Sequence, residues 1–394
     1  MNIENIAAII FLVLLALLVV WQRKKLTFQK IFFPVIYFVM WKTKIGLNFM
    51  NSFAAMFRKQ LNYLSYVIIF VGFAGMLFLS YTIIASLVQT YIKAAPAPAV
   101  GLVLPVQAKG VFFVPFFYWI ISIFILAVVH EFSHGIFARL FDIKVKSSGF
   151  AALAILVPII PAAFVEPDER QLKKKSRREQ LAIFASGSFA NILLALLILA
   201  FSFVALNPIV KAITENQGVE IIGFDKELSP ANLSGMHKDE VITGINGIEI
   251  TTLENFTQAL SNKKPGDKVD IMTNVSSYTI TLAKHPKNES KGYLGVSVTQ
   301  RSEIKQSVKD RYGKITIAIF TWLVGLLFFL YILNFGIGLF NLIPIGPIDG
   351  GRMLLTALEA FFEKKKARKI WGFISILFLF LVIVGVLNSF GFIR

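Results

Sequence analysis

The chain has 394 residues, of which 56% are hydrophobic, 14% aromatic and only 16% charged, a balance that excludes an ordinary soluble globular protein. The absence of cysteine removes disulfides, zinc–thiolate sites, iron–sulfur clusters and cysteine nucleophiles, so any metal must sit on His, Asp or Glu. The formal net charge of +17 is uneven: residues 207–313 hold 13 Lys/Arg and 13 Asp/Glu, while the 27 basic and 10 acidic residues elsewhere flank apolar runs, as a membrane surface requires and a nucleic-acid partner does not.

In chain order, the first apolar run, 6–21, ends in Arg23, Lys24 and Lys25. It has no basic stretch before it and no small-residue cleavage site after it, which predicts a retained transmembrane helix rather than a signal peptide. Residues 26–59 are basic and aromatic, with apolar stretches too short to span around Pro34, and are predicted to form an interfacial helix pair. Spans are predicted at 64–92 and 111–138, with a proline-bearing loop at 94–109 between them. These runs are continuous rather than alternating, which excludes a transmembrane barrel.

Residues 149–165 have membrane-like composition but are broken by Pro158 and Pro161 and are too short to cross as a helix. Non-helical backbone at membrane depth survives only where protein buries it or it lines a cavity, so a re-entrant hairpin beside a site is predicted. Further spans at 181–206, 315–343 and 370–390 bring the expectation to six. Lys and Arg number 8 in residues 23–59, 9 in 139–180 and 6 in 352–369, against Lys93, Lys109, Lys314 and Arg394 on the other side. The positive-inside rule then predicts both termini and residues 207–313 outside, in a multi-pass protein of the cell membrane. The expected fold is a polytopic α-helical membrane protein in four parts. They are an N-terminal helix and interfacial segment (1–63), a first membrane core (64–206), an extracytoplasmic insert (207–313) and a second membrane core (314–394).

The insert alternates in short apolar runs between turn signals, predicting strands at 219–223, 240–245, 268–272 and 277–282 and a short helix at 253–260. Asn246-Gly247 supplies the two positive φ values of a tight hairpin turn. The pattern from Ser229-Pro230-Ala231 through Gly235, Asp239, Ile245-Asn246-Gly247 and Pro265-Gly266 resembles a PDZ domain of membrane and periplasmic proteases. That resemblance implies an α+β fold and a possible peptide ligand held along a sheet edge; a folded spacer without ligand is the alternative.

The chemistry-bearing residues begin in the third span with His130-Glu131-Phe132-Ser133-His134. Residues four apart share a helix face, so the two histidines can grip one metal ion while Glu131 projects beside them. A charged side chain at bilayer depth costs roughly 2.5–3.5 kcal/mol even on the lenient insertion scale, so three ionisable residues in five positions need a compensating role. A structural ion pair or polar helix packing is the bland reading. A catalytic zinc takes about three protein ligands. The position six residues after His134 is Leu140, which excludes the metzincin pattern, and His237 and His285 lie in the insert. The fifth span ends in a stretch, 341–352, whose only acidic residue is Asp349.

The chain here resembles the site-2 protease family of intramembrane metalloproteases, which pairs HExxH in one membrane helix with NxxPxxPxDG in a later one. His130 to His134 and Asn341 to Gly350 match both motifs at every defining position. The resemblance implies Zn2+ on His130, His134 and Asp349, Glu131 as general base, and cleavage within or near a transmembrane helix of membrane-protein substrates. A family Gly-Pro-x-x-Asn stretch is only partly matched by Gly187-Ser188-Phe189-Ala190-Asn191, where Ser188 replaces the proline. Asn191 is therefore a candidate for substrate or oxyanion contact, with helix packing the alternative. Asn341 is a candidate for orienting the Asp349 loop or capping a broken helix, and the 149–165 hairpin for offering a strand edge to unwound substrate. Two other classes stay open: a metal transporter, which needs no base between its histidines, and a catalytically inactive membrane scaffold, which would lack a ligand or the base.

Overall fold

The computed structural model describes residues 3–32, 36–92, 101–155, 157–225, 228–286 and 288–391. The chain divides into two compact units, one of Met1–Ala200 with Trp322–Arg394 and one of Phe201–Thr321.

The first unit opens with helix α1 (Ile3–Trp21), followed by strands β1 (Thr27–Phe32) and β2 (Ile36–Thr43) and helices α2 (Leu47–Met56) and α3 (Arg58–Ile92). The strand pair corrects the predicted interfacial helix pair; Pro34 lies outside the described residues. The reason is a partner more than a hundred residues away. β2 is antiparallel to residues 148–155 along its whole length, from Thr43 opposite Ser148 to Ile36 opposite Ile155. Its β-branched and aromatic residues suit a pleated, half-buried surface, so tertiary pairing decides their state.

After α3 come two three-residue strands in parallel, β3 (Leu102–Leu104) and β4 (Val111–Phe113), the second of which takes the first residues of the span predicted at 111–138. Helix α4 (Phe116–Leu140) follows, then the hairpin β5 (Val145–Ile155) and β6 (Val157–Pro167). These strands complete a four-stranded sheet in the order β1-β2-β5-β6, so the predicted hairpin is half of a larger sheet whose other half comes from the N-terminal segment. Gly149 is required where β2 and β5 meet, because a Cβ there would lie 2.0 Å from the Trp41 carbonyl oxygen. Asp168 caps the short α5 (Glu169–Leu172), and α6 (Arg177–Phe201) continues the unit.

The second unit carries a helical turn at Ser202–Leu206 and α7 (Asn207–Ile213), then β7 (Thr214–Phe224), α8 (Pro230–Leu233), β8 (Val241–Ile245), β9 (Ile248–Glu249) and α9 (Leu253–Ser261). Strands β10 (Lys268–Thr273), β11 (Ser277–Thr281), β12 (Ala283–His285), β13 (Asn288–Tyr293) and β14 (Val296–Ile304) complete it. Each predicted strand and the predicted helix are present, and Asn246 and Gly247 take φ values of 51° and 78° between β8 and β9. The sheet runs β11-β10-β8-β7-β14, with β9 paired to β8. Strand β14, antiparallel to β7, was not predicted: its run of Thr299, Gln300, Arg301, Ser302 and Glu303 lacks apolar alternation and is held by pairing with β7 and by polar side-chain contacts such as Arg301 to Glu220 and Gln300 to the Gly218 carbonyl. Val219, Ile221, Ile242, Ile245, Val269 and Ile271 fill the core.

The chain returns to the first unit within α10 (Gln306–Phe340), interrupted at Gly313 with φ 74°, and ends with α11 (Asp349–Phe361) and α12 (Lys364–Phe390). Among the described residues five helices are long and apolar enough to cross a membrane: Arg58–Ile92, Phe116–Leu140, Arg177–Ile213, Gln306–Phe340 and Lys364–Phe390, with a shorter apolar helix at Ala8–Trp21. Their composition is two-sided. On α6, Ala182 to Ser188 are buried, and further along Asn191, Ala195 and Ile198 stay buried while Leu193, Leu196, Leu197 and Phe201 are exposed, the arrangement of a helix with one face on protein and an apolar face turned outward.

In the second unit Glu240, only 3% exposed, accepts hydrogen bonds from the His237 backbone N–H, the Thr273 hydroxyl and the Tyr278 hydroxyl. Replacing it with Ala would strand these donors, at a cost of about 1–3 kcal/mol for each buried group left unpaired. In the Glu240→Ala chain, amide protection of β8, β10 and β11 is expected to fall while that of α4 and α6 stays. Unchanged exchange across β8 would contradict this role for the carboxylate.

Candidate metal centre

Helix α4 carries His130 and His134 one turn apart, and both are largely buried. A third group comes from α11, whose first residue is Asp349. The loop before it folds back tightly: Gly350 donates its N–H to the Asn341 carbonyl at 2.8 Å. A Cβ on Gly350 would lie 2.2 Å from the Leu342 carbonyl oxygen, and one on Gly351 would lie 2.3 Å from that of Ile345. The two glycines after the aspartate are therefore a steric requirement of this turn. The Trp371 indole N–H of α12 donates to the Gly351 carbonyl at 2.8 Å, and the Gly346 N–H donates to the Ser375 hydroxyl at 3.2 Å. Arg352 reaches Glu169 at 2.8 Å and lies over the Phe184 ring at 4.2 Å. Asn341 contributes to this turn through its backbone carbonyl.

Three atoms converge. Asp349 Oδ2 is 3.1 Å from His130 Nε2 and 3.3 Å from His134 Nε2, and the two imidazole nitrogens are 3.1 Å apart. Asp349 Oδ2 has no hydrogen-bond partner of proper geometry despite this closeness, so the carboxylate points between the two rings rather than at either. A tetrahedral site with ligands at about 2.0–2.2 Å would space them about 3.3–3.6 Å apart, close to what is found.

Helix α6 supplies a second test of fit. A Cβ on Gly187 would lie 2.5 Å from His134 Nε2 and 2.7 Å from His130 Nε2, so the space before both nitrogens exists because this residue has no side chain. On the same helix the Ile183 carbonyl lies 2.6 Å from His134 Nδ1. A carbonyl only accepts, so Nδ1 carries the proton and Nε2 turns its lone pair to the centre. The site therefore fits a divalent cation held by His130, His134 and Asp349.

The other expected residues are also brought here. Glu131 turns toward the sheet, its Oε2 accepting the Val165 N–H of β6 at 3.0 Å. Asn191 is fully buried, with Nδ2 3.2 Å from His130 Nδ1. Gly187 is visible in the sequence only as part of the 187–191 stretch, without its steric role, and the contacts of the Ile183 carbonyl and the Val165 amide are not visible there. A backbone carbonyl or amide leaves no trace in residue type; only the glycine carried a readable signal, four residues before Asn191 on one helix face.

Gly187→Ala should fold, because helix propensity favours alanine, yet lose the bound metal as completely as Asp349→Ala or His134→Ala. Elemental analysis of the purified variants measures this, and stoichiometric metal in Gly187→Ala would refute the assignment of the space before the histidines.

The profile of peptidase family M50 matches residues 118–382, which include all of these groups. An uncharacterized protein of Methanocaldococcus jannaschii is 29% identical over 259 residues, covering 65% of this chain and 60% of that protein. Zinc metalloprotease RasP of Shouchella clausii is 26% identical over 283 residues, covering 58% of this chain and 64% of that one. The chain thus spans less than two thirds of the length of these curated relatives. Among solved structures, the PDZ domain of an SdrC-like protein of Listeria monocytogenes is 24% identical, covers 21% of this chain and 88% of its own, and has a TM-score of 0.19. The M50 match spans the histidines, the α6 wall and the aspartate together, and the chain belongs to that peptidase family.

Proposed function

We propose that the protein is a zinc-dependent endopeptidase cutting within or near a transmembrane segment of membrane-protein substrates. The observation that carries this is the buried triangle of His130, His134 and Asp349 with edges of 3.1–3.3 Å and a carboxylate, Glu131, on the residue next to one of them. Its relative in Shouchella clausii is named a zinc metalloprotease. When bound, zinc supplies Lewis acidity, polarising a carbonyl and making water acidic enough to lose a proton near neutral pH. His130, His134 and Asp349 hold it; Glu131 takes the proton from the attacking water and returns it to the leaving amine.

A transmembrane helix hides its carbonyls in its own hydrogen bonds, so the substrate must unwind before attack. Strand β6 is an outer strand of its sheet and its Val165 N–H already reaches Glu131, which favours reception of the unwound segment along this edge. A transporter has no use for a carboxylate anchored beside two ligating histidines, and an inactive scaffold would lack one of the four residues.

The full reading has six spans, counting α1, with β5 and β6 as the re-entrant element and the basic loops facing the cytoplasm. The second unit then lies outside as a PDZ-like module. Its sheet leaves outer strands β11 and β14 where an extended peptide could pair, and it filters substrates by the size of their extracytoplasmic part.

Glu131→Gln keeps size and removes the base. It is expected to retain zinc and lose cleavage of single-span substrates by several orders of magnitude, whereas the wild type treated with a chelator should lose both; cleavage by the variant at the normal rate would end this mechanism. The filter has its own test. Thr214 and Ile304 are opposite each other on β7 and β14, so residues 215–303 can be replaced by a short linker without separating the flanking ends. That variant should keep zinc and cut long-tailed substrates more readily. Continued rejection of long tails would refute the filter, and loss of all cleavage would make the unit a positioning domain instead.

A further inference from the structure

Both imidazoles must be fixed in the tautomer that presents Nε2 to the metal, which requires a proton on each Nδ1 and an acceptor facing it. For His134 the acceptor is the Ile183 carbonyl at 2.6 Å. For His130 the group facing Nδ1 is the Asn191 side-chain amide, whose Nδ2 lies at 3.2 Å, so a protonated Nδ1 would meet a donor with a donor. At the other end of the same amide, Asn191 Oδ1 is buried and has no hydrogen-bond partner. Half a turn about the last side-chain bond exchanges two ends of nearly identical shape and puts the orphaned oxygen against the imidazole N–H.

Position favours the same conclusion. Residues 183, 187 and 191 are spaced four apart and share one stripe of α6. The first supplies an acceptor to His134, the second supplies the empty space before both nitrogens, and the third sits against His130. Asn191 cannot easily swing away. Its residue is fully buried, and a Cβ on Gly338 of α10 would lie 2.8 Å from the Asn191 Cβ, so the two helices pack closely at this point.

We infer that Asn191 is a positioning residue for the metal, accepting the His130 Nδ1–H through Oδ1 and so holding Nε2 toward the zinc. This deepens the zinc reading of the site and rests on it. It differs from the substrate or oxyanion role expected from the sequence, in which the amide would donate to the reacting peptide and leave metal binding alone.

The test measures zinc affinity of the full-length, detergent-solubilised chain by chelator competition, with the visible spectrum of the cobalt-substituted protein as a second readout and cleavage rate as a third. Three variants separate the roles. Asn191→Ala keeps the Cβ that packs near Gly338, Asn191→Leu keeps the bulk, and Asn191→Asp keeps an acceptor while giving up the amide donor. Ala and Leu should each weaken zinc binding by about 10- to 100-fold and shift the cobalt spectrum, whereas Asp should bind zinc about as tightly as the wild type. Wild-type zinc affinity in both Ala and Leu, with cleavage alone reduced, would overturn the proposal in favour of substrate contact. Equal weakening in all three would overturn it in favour of packing. A wild-type chain that binds no zinc would remove the zinc reading itself and this proposal with it.

Discussion

Three lone-pair donors held 3.1–3.3 Å apart among apolar helices constitute an electrostatic problem before they constitute a site. In water each would be hydrated. Here Asp349 Oδ2 is buried and lacks a hydrogen bond, and an isolated carboxylate in such surroundings is among the most costly things a fold can bury. A cation at the centre removes the difficulty in one step, since it neutralises the carboxylate and satisfies both imidazoles. Much of the first unit follows from keeping that convergence intact: the tight turn before α11, the clamp from α12, and the helix that closes the back of the site.

That back wall is a run of small residues. Ala182, Ala185, Ser186, Gly187 and Ser188 of α6 are all fully buried, and Gly72 of α3 approaches them so closely that an added Cβ would lie 2.9 Å from the Ala185 side chain. In lipid, where helices gain little by hiding hydrophobic surface from one another, close backbone approach is the main source of packing energy. The stripe thus does two things at once. It draws α3 and α4 against α6, and it leaves a gap of the right size at Gly187 while the carbonyl of Ile183 turns toward His134.

The long apolar helices and the residues that converge were legible because each rests on a local signal: about twenty apolar residues make a candidate span, and two histidines four apart share one helix face. Asp349 was reachable because it is the sole acidic group in its stretch. The N-terminal strands were not legible. Residues 27–43 carry no pattern that outweighs a helix, and they become strands because residues 148–155 offer an edge. For the same reason β14 escaped notice, its polar run being specified by β7 rather than by its own alternation. Around the site, what sequence could not supply was the backbone: the Val165 amide on Glu131 and the Ile183 carbonyl on His134 would be made by any residue type at those positions.

The contacts from α12 have a bearing on how the centre is aligned. Trp371 and Ser375 grip the turn that presents Asp349, yet both follow His130, His134 and Asp349 in the chain. The segment up to α11 holds all three converging groups but not the brace on the turn that carries the third. The geometry of the Asp349 turn is therefore complete only once α12 has packed against it, so a helix that supplies none of the three converging groups governs their alignment.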